Sequence, residues 1–278
     1  MSKFIISGFS DEISSDTTVQ FEHLNSLGIG YFEPRGIDGK NISELTDEEA
    51  AELKAKMDKY GIKVSSIGSP IGKIKITDTF EEHLQKLDRV ITIAGILDTK
   101  YIRVFSFYVE DGEQEKYRYE VIRRMKEMTA LAEKRGVILL HENEKGIYGD
   151  IAVRCLDVLK EVNSPNLRAV FDPANFIQCG QTTFPDGFEM LEEYVVYMHI
   201  KDATAEGKVV PAGYGEGKLQ QIINRLKEMN YEGFLSLEPH LGSFQGLANL
   251  EEDDKMTKLA ASTPGKFTLA YESLMKLL

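Results

Sequence analysis

The sequence predicts an α/β protein folded as one closed (β/α)8 barrel. Three observations predict it: eight alternations of an apolar run with an amphipathic stretch, a length of 278 residues, and polar residues at the ends of the late apolar runs. Barrels of this kind need about 250 residues, and their functional side chains sit where strands pass into the following loops. The rival is a doubly wound open sheet. Its usual glycine-rich turn after the first strand is missing, because Gly8 to Ser14 contains no G-x-G-x-x-G. A single domain over residues 1–278 is therefore expected.

Lys3 to Phe9 reads as a buried first strand. Phe21, Leu24 and Leu27 share a helical face that ends at Gly28, and Tyr31 to Glu33 resumes as strand two. Thr46 and Glu49 have the spacing of a capping box. The helix they open carries Ala50, Leu53, Met57 and Tyr60 on one face, and Gly61 suits a left-handed end. Ile62 to Ile67 reads as strand three, Phe80, Leu84, Leu87, Ile91 and Ala94 as a helical stripe, and Tyr101 to Phe105 as strand four. Tyr117, Val121, Met125, Met128 and Leu131 mark the next helix, which stops near Gly136. Val137 to Leu140 is a continuous apolar run, as expected of a parallel strand buried on both faces.

The second half repeats the cycle. Cys155, Leu156, Leu159 and Val162 line a helix before the strand Leu167 to Phe171. A shorter helix around Phe188 to Tyr194 precedes the strand Val195 to Ile200. Leu219, Ile222, Ile223 and Leu226 precede the eighth strand, Phe234 to Leu237. Thr263 and Pro264 are expected as N-cap and first residue of a last helix. Leu241 to Thr263 is longer and more polar than the other connections, and suits either a surface excursion or a lid over the barrel mouth.

A net charge of -12 argues against a nucleic-acid surface, which draws its affinity from clustered Lys and Arg. Cys155 and Cys179 are the only cysteines and form no C-x-x-C, so neither a disulfide framework nor a thiolate metal site is expected. The apolar run at Met1 to Phe9 soon meets Asp11 and Glu12, too short for a signal peptide or a membrane span. The expectation is a cytoplasmic protein with no membrane and no nucleic-acid partner; a homo-oligomer is left open.

Four late strands end in a candidate ligand: Glu142 in V-I-L-L-H-E-N, Asp172 in A-V-F-D-P-A-N, His199 in V-V-Y-M-H-I-K-D and Glu238 in F-L-S-L-E-P-H. One carboxylate at a strand end is usually a helix cap, and a lone His is usually structural. Four on consecutive strands converge on the barrel axis, and three carboxylates packed together repel unless a cation neutralises them. A set of three oxygen ligands and one nitrogen suits one divalent ion: Mn2+ first, with Mg2+, Co2+ or Zn2+ as alternatives.

The stretches H-E-N at 141–143, F-D-P-A-N at 171–175, H-I-K-D at 199–202 and L-E-P at 237–239 resemble the xylose isomerase-like superfamily of TIM barrels. G-I-K-V-S-S-I-G-S-P at 61–70 and P-A-G-Y-G-E-G at 211–217 extend the resemblance over nearly the whole chain. It implies sugar-phosphate isomerase or epimerase chemistry, with Glu142, Asp172, His199 and Glu238 as the metal ligands. The superfamily also holds dehydratases of inososes and dehydroshikimate, and endonuclease IV-type repair enzymes. The repair enzymes carry a His where this chain has Asn175. The tagatose-type epimerases carry that His too, with an acidic residue in place of Tyr148. These departures turn the expectation from DNA repair to sugar chemistry and leave the match to tagatose-type enzymes incomplete.

By the resemblance to ketose epimerases, Glu142 and Glu238 flank a ketose, keto-sugar or sugar phosphate. One removes a proton to give an enediolate and the other returns it. Lys201, two residues past His199, is a third catalytic candidate, an acid at a leaving hydroxyl; a salt bridge to Asp202 or another carboxylate is its structural alternative. Arg35, Asn175 and His240 are the candidates for touching substrate. Arg35 equally suits a pairing with Glu33, and Asn175 a helix cap. Lys73 is a weaker anion-binding candidate. Gly213, Gly215 and Gly217 fit either a phosphate cradle or a tight turn, while His23 and His83 are expected at the surface. The alternative to an isomerase is a metal-dependent lyase that dehydrates a keto-polyol such as an inosose. A non-catalytic sugar-binding module is the reading from a different class.

Overall fold

The structure is a computed structural model that describes residues 2–242, 259 and 261–278. Eight parallel strands form a ring: β1 Lys3–Gly8, β2 Tyr31–Phe32, β3 Lys63–Val64, β4 Tyr101–Val104, β5 Ile138–Glu142, β6 Leu167–Phe171, β7 Val195–Ile200 and β8 Glu232–Leu237. Six of them make one continuous sheet in the order β1, β8, β7, β6, β5, β4. The short strands β2 and β3 pair with each other, and a few backbone bonds on either side close the ring. Glu33 N–H donates to Gly8 O at 2.9 Å on one side, and Ile67 N–H to Tyr101 O at 2.9 Å on the other.

Strand three is shorter than the run Ile62 to Ile67 predicts, because its pairing is split between two neighbours. Ser65 N–H bonds Phe32 O beside β2 at 2.9 Å, while Ile67 already bonds Tyr101 and Arg103 of β4. Strand five runs two residues further than expected and takes His141 and Glu142 into the sheet.

The helices are α1 Thr17–Ser26, α2 Asp47–Tyr60, α3 Phe80–Ile96, α4 Gln114–Arg135, α5 Ala152–Val162, α6 Pro173–Gln178, α7 Phe188–Leu191, α8 Leu219–Glu228 and α9 Thr263–Met275. The capping box at Thr46 and Glu49 is formed, and Gly61 ends α2 at φ 68°. On α8 the buried residues are Leu219, Ile222, Ile223 and Leu226, the stripe that a 3.6-residue period places on one face. The last helix begins one residue earlier than expected: Ser262 is its N-cap, accepting from Gly265 N–H at 3.2 Å, so Thr263 is the first helical residue. His83 is buried, correcting its expected place at the surface, and its Nε2 accepts the Gly72 N–H at 2.7 Å. Of the segment Leu241 to Thr263, residues 243–258 and 260 lie outside the described residues, and with them the choice between lid and surface excursion. Among the described residues no helix is long and apolar enough to cross a membrane.

Inside the ring, alternation decides what reaches the axis. Leu140, Val170 and Tyr197 pack together in the barrel interior. The residues two positions further along the same strands are Glu142, Asp172 and His199. The interior period thus carries these three candidate ligands to the mouth on top of an apolar or aromatic layer, while Glu238 stands two residues past the buried Ser236.

Candidate active site

Glu142, Asp172, His199 and Glu238 are all buried, and each offers a ligand atom within 4.8 Å of the others. His199 Nδ1 is the hub: it lies 3.1 Å from Glu142 Oε1, 3.6 Å from Glu238 Oε2 and 4.0 Å from Asp172 Oδ2. Asp172 does double duty. Its Oδ1 accepts the Asn175 N–H at 2.9 Å and so caps α6, which aims Oδ2 at the cluster. Asn143 locks the backbone of Asp172 by a reciprocal pair, donating to its carbonyl and accepting its N–H, both at 2.9 Å.

The chemistry of this donor set fits a divalent cation. Glu33 Oε2 lies 3.2 Å from His199 Nε2, and a carboxylate accepts hydrogen bonds, so Nε2 is the protonated nitrogen. That leaves Nδ1 facing three carboxylates with no hydrogen-bond partner, while Arg103, 3.3 Å from Glu142 Oε2, and Lys201, 2.8 Å from Asp172 Oδ2, offset only part of their charge. Orphaned acceptors gathered round one point are costly unless a positive charge sits among them.

In the metal-free chain a proton on His199 takes the place of that cation. Burial depresses the His199 imidazole, yet Glu142 and Glu33 outweigh it and hold its pKa well above the usual range. Burial raises Glu142, but His199 and Arg103 hold it at about 2. Asp172 is pushed up to about 7 by burial, against the pull of Lys201 and with Glu238 and Glu142 adding to the rise.

Lys201 places Nζ 2.8 Å from both Asp172 Oδ2 and Glu238 Oε2, so its partners are these two carboxylates and not Asp202. Burial lowers its pKa, but Asp172 and Glu238 more than reverse that and keep it an ammonium. Asn175 uses its side-chain amide within the site, donating to Glu142 Oε1 at 3.2 Å and Asn143 O at 3.0 Å. Capping is done by Asp172, so Asn175 orients a glutamate.

Arg35 does not pair with Glu33. It forms a two-pronged bond to Asp11 (2.9 and 3.0 Å), lies 3.4 Å from Glu12, and reaches to 3.6 Å from Glu238 Oε1. His240, partly exposed at φ 45°, adds its Nε2 at 3.4 Å from the same Glu238 oxygen. Burial lowers the His240 pKa to about 4, so the ring is neutral near pH 7. Lys73 lies over the Phe105 ring and pairs with Glu144 at 3.1 Å. The glycine run is no phosphate cradle: the N–H groups of Gly213, Gly215 and Gly217 donate to the Asp202 carboxylate at 2.9, 3.1 and 2.8 Å. Tyr148 turns its hydroxyl to Asp157 at 2.7 Å. His23, half-buried, bonds Thr268 at 3.0 Å.

Two residues of the site escaped the sequence reading. Arg103 is buried at 3.3 Å from Glu142 Oε2, its guanidinium 5.0 Å from the rings of both Phe9 and Phe105. Glu33 sits behind His199, and its Oε2 also accepts Tyr197 Oη–H at 2.9 Å and Ser236 Oγ–H at 2.7 Å. The signal for both is parity, because a charged residue in step with the inward-facing positions of a barrel strand must meet a partner inside.

Comparison with known proteins agrees with this fold. The sequence pattern of the xylose isomerase-like TIM barrel family matches residues 21–259. The chain is 24% identical over 198 residues to the 3-dehydroshikimate dehydratase of Bacillus anthracis, covering 69% of this chain and 68% of the relative. It is 24% identical over 162 residues to a probable L-ribulose-5-phosphate 3-epimerase of Mycoplasma pneumoniae, covering 57% of this chain and 52% of that one. Among solved structures, an IOLI protein with a bound zinc atom superposes with a TM-score of 0.76 at 16% identity, over 98% of this chain and 97% of the other. The chain belongs to the xylose isomerase-like TIM barrel family.

Proposed function

We propose that the protein is a divalent-metal-dependent isomerase or epimerase acting on a ketose, keto-sugar or sugar phosphate. The observation that carries this reading is the matched arrangement of Glu142 and Glu238. Each turns one oxygen toward His199 Nδ1 and the other to an arginine, Arg103 for Glu142 and Arg35 for Glu238. The two carboxylates come from β5 and β8, with β6 and β7 between them, and so approach a shared substrate from different sides.

Glu142, Asp172, His199 and Glu238 would hold one cation, Mn2+ by preference. When bound it supplies positive charge for the oxygens of a carbonyl and its neighbouring hydroxyl. One glutamate, as the carboxylate, takes the proton from the hydroxyl-bearing carbon beside the carbonyl, leaving an enediolate. The other, which must enter the turnover as the carboxylic acid, returns its proton to the opposite face, and exchange with water resets the pair. Asn175 and Arg103 keep Glu142 in place during the transfer, and Arg35 and His240 border the side of Glu238. The dehydratase and the probable epimerase among the relatives support proton abstraction beside a carbonyl as a shared step.

Lys201 favours a second reading. An ammonium inside the cluster can protonate a leaving hydroxyl, turning the same enediolate toward water loss. Incubating ketoses and inososes with the Mn2+-loaded protein in D2O separates the two. Deuterium gain with the product otherwise unchanged in mass supports the isomerase; loss of water supports the lyase. Absence of exchange with every candidate would remove the proton-abstraction reading.

A further inference from the structure

We infer that Glu33 is a positioning residue for the metal site. It fixes which nitrogen of His199 faces the cation and holds that ring in its ligating orientation. The inference rests on the metal reading and not on which reaction follows.

The geometry that carries it lies on five strands. Glu33 follows β2 and is fully enclosed. Its Oε2 is met by three groups from two other strands: Tyr197 and His199 of β7, and Ser236 of β8. Tyr197 Oη is in turn 2.8 Å from Ser65 Oγ beside β3, and Ser65 Oγ is 2.6 Å from Ser7 Oγ on β1. The carboxylate is therefore pinned by a chain of hydroxyls across the barrel floor. It has one place to sit, directly behind the imidazole.

A carboxylate there dictates the tautomer. It accepts the Nε2–H, so the lone pair at Nδ1 is presented to the centre of the Glu142, Asp172 and Glu238 triangle. The negative charge behind the ring also raises the donor strength of Nδ1. Metal-ligating histidines commonly depend on such a partner, and its loss weakens metal affinity about 10- to 100-fold. Phe9 and Tyr197 pack edge-on against the imidazole, at 5.2 and 5.8 Å between ring centroids, and help to hold its orientation.

Titration calorimetry with Mn2+ on the chelator-stripped full chain and on Glu33→Gln provides the test, read alongside the unfolding midpoint of each metal-free protein. The expected result is Mn2+ affinity about 10- to 100-fold weaker in Glu33→Gln. Unchanged affinity with a lowered metal-free midpoint makes Glu33 merely structural and overturns the inference while leaving the metal site standing. A wild-type protein that takes up no Mn2+ overturns both. Where Glu33→Gln fails to fold, nitrogen-15 spectra of histidine-labelled, Zn2+-loaded wild type decide. A protonated Nε2 and a metal-bearing Nδ1 on His199 are expected, and the reverse assignment overturns the inference.

Discussion

Arg103 brings Nη1 to within 3.3 Å of Glu142 Oε2 inside the barrel, guanidinium and carboxylate arriving from neighbouring strands. The contact is more than a charge balance. Phe9 lies against Arg103 on one side and against Arg35 on the other, with centroid distances of 5.0 and 4.7 Å. A single ring therefore spaces two guanidiniums, each beside the outer oxygen of one glutamate. Planar stacking of this kind is available to arginine and not to lysine.

Arg103→Met should consequently cost the metal-free protein about 3 kcal/mol of stability, since it leaves Glu142 buried without its cation. Arg103→Lys should recover only part of that, because the ammonium keeps the charge and loses the stack. Urea unfolding of the three proteins checks both statements. Equal stability of the lysine variant and wild type would show that charge alone matters at this position.

The ring of strands was legible because both faces of a parallel barrel strand are buried, which writes unbroken apolar runs such as Val137 to Leu140. The four ligands were legible for a related reason: a polar residue that ends such a run has nowhere to point but the mouth. Strand three was over-read because its backbone partner changes from β2 at Ser65 to β4 at Ile67, so the extended run forms no continuous ladder with one neighbour. Glu33 and Arg103 were missed because parity says only that they point inward; the partner that gives each its meaning, His199 or Glu142, lies on another strand. His83 was misplaced because only the fold shows the Gly72 N–H that its ring accepts.

The glycine turn after β7 makes a prediction of its own. A methyl group at Gly215 would press on Ala203 O and the Asp202 carboxylate, which already takes three glycine N–H groups and that of Ala203. Gly215→Ala should lower stability by about 1–3 kcal/mol, and Asp202→Ala by a similar amount through the stranded donors. Because both break one contact, the double variant should lose clearly less than the sum. Strict additivity in thermal unfolding would separate the turn from Asp202.

His83 supplies a pH dependence. Burial, with Lys86 and Arg124 adding, lowers its pKa from 6.5 to about 4, and the ring must be neutral to accept the Gly72 N–H. Between pH 6.5 and 4 the unfolded chain then binds a proton that the folded chain does not. This contribution to stability is complete above pH 6.5 and is lost as the pH falls toward 4. His83→Gln should have a shallower fall of unfolding midpoint across that window than wild type. Parallel curves for the two proteins would show that His83 titrates normally.

Lys201 links the metal site to the choice of reaction. Its ammonium lies 2.8 Å from two of the three carboxylates in the cluster, so in chelator-stripped protein it is the nearest charge that balances them. Lys201→Met should therefore destabilise the metal-free protein by several kcal/mol, on the order expected for breaking a buried ion pair. Saturating Mn2+ should then raise the variant's unfolding midpoint more than that of wild type, because the cation restores the missing positive charge; a ligand at 100 times its Kd adds about 2.7 kcal/mol. Equal Mn2+ shifts in the two proteins would mean that Lys201 does not compensate the cluster. The same variant also reads the chemistry. If Lys201 serves only charge balance, Lys201→Met loaded with Mn2+ keeps substrate proton exchange near the wild-type rate. If the ammonium protonates a leaving hydroxyl, exchange persists while water loss falls by about 100-fold or more, the scale of a removed general acid.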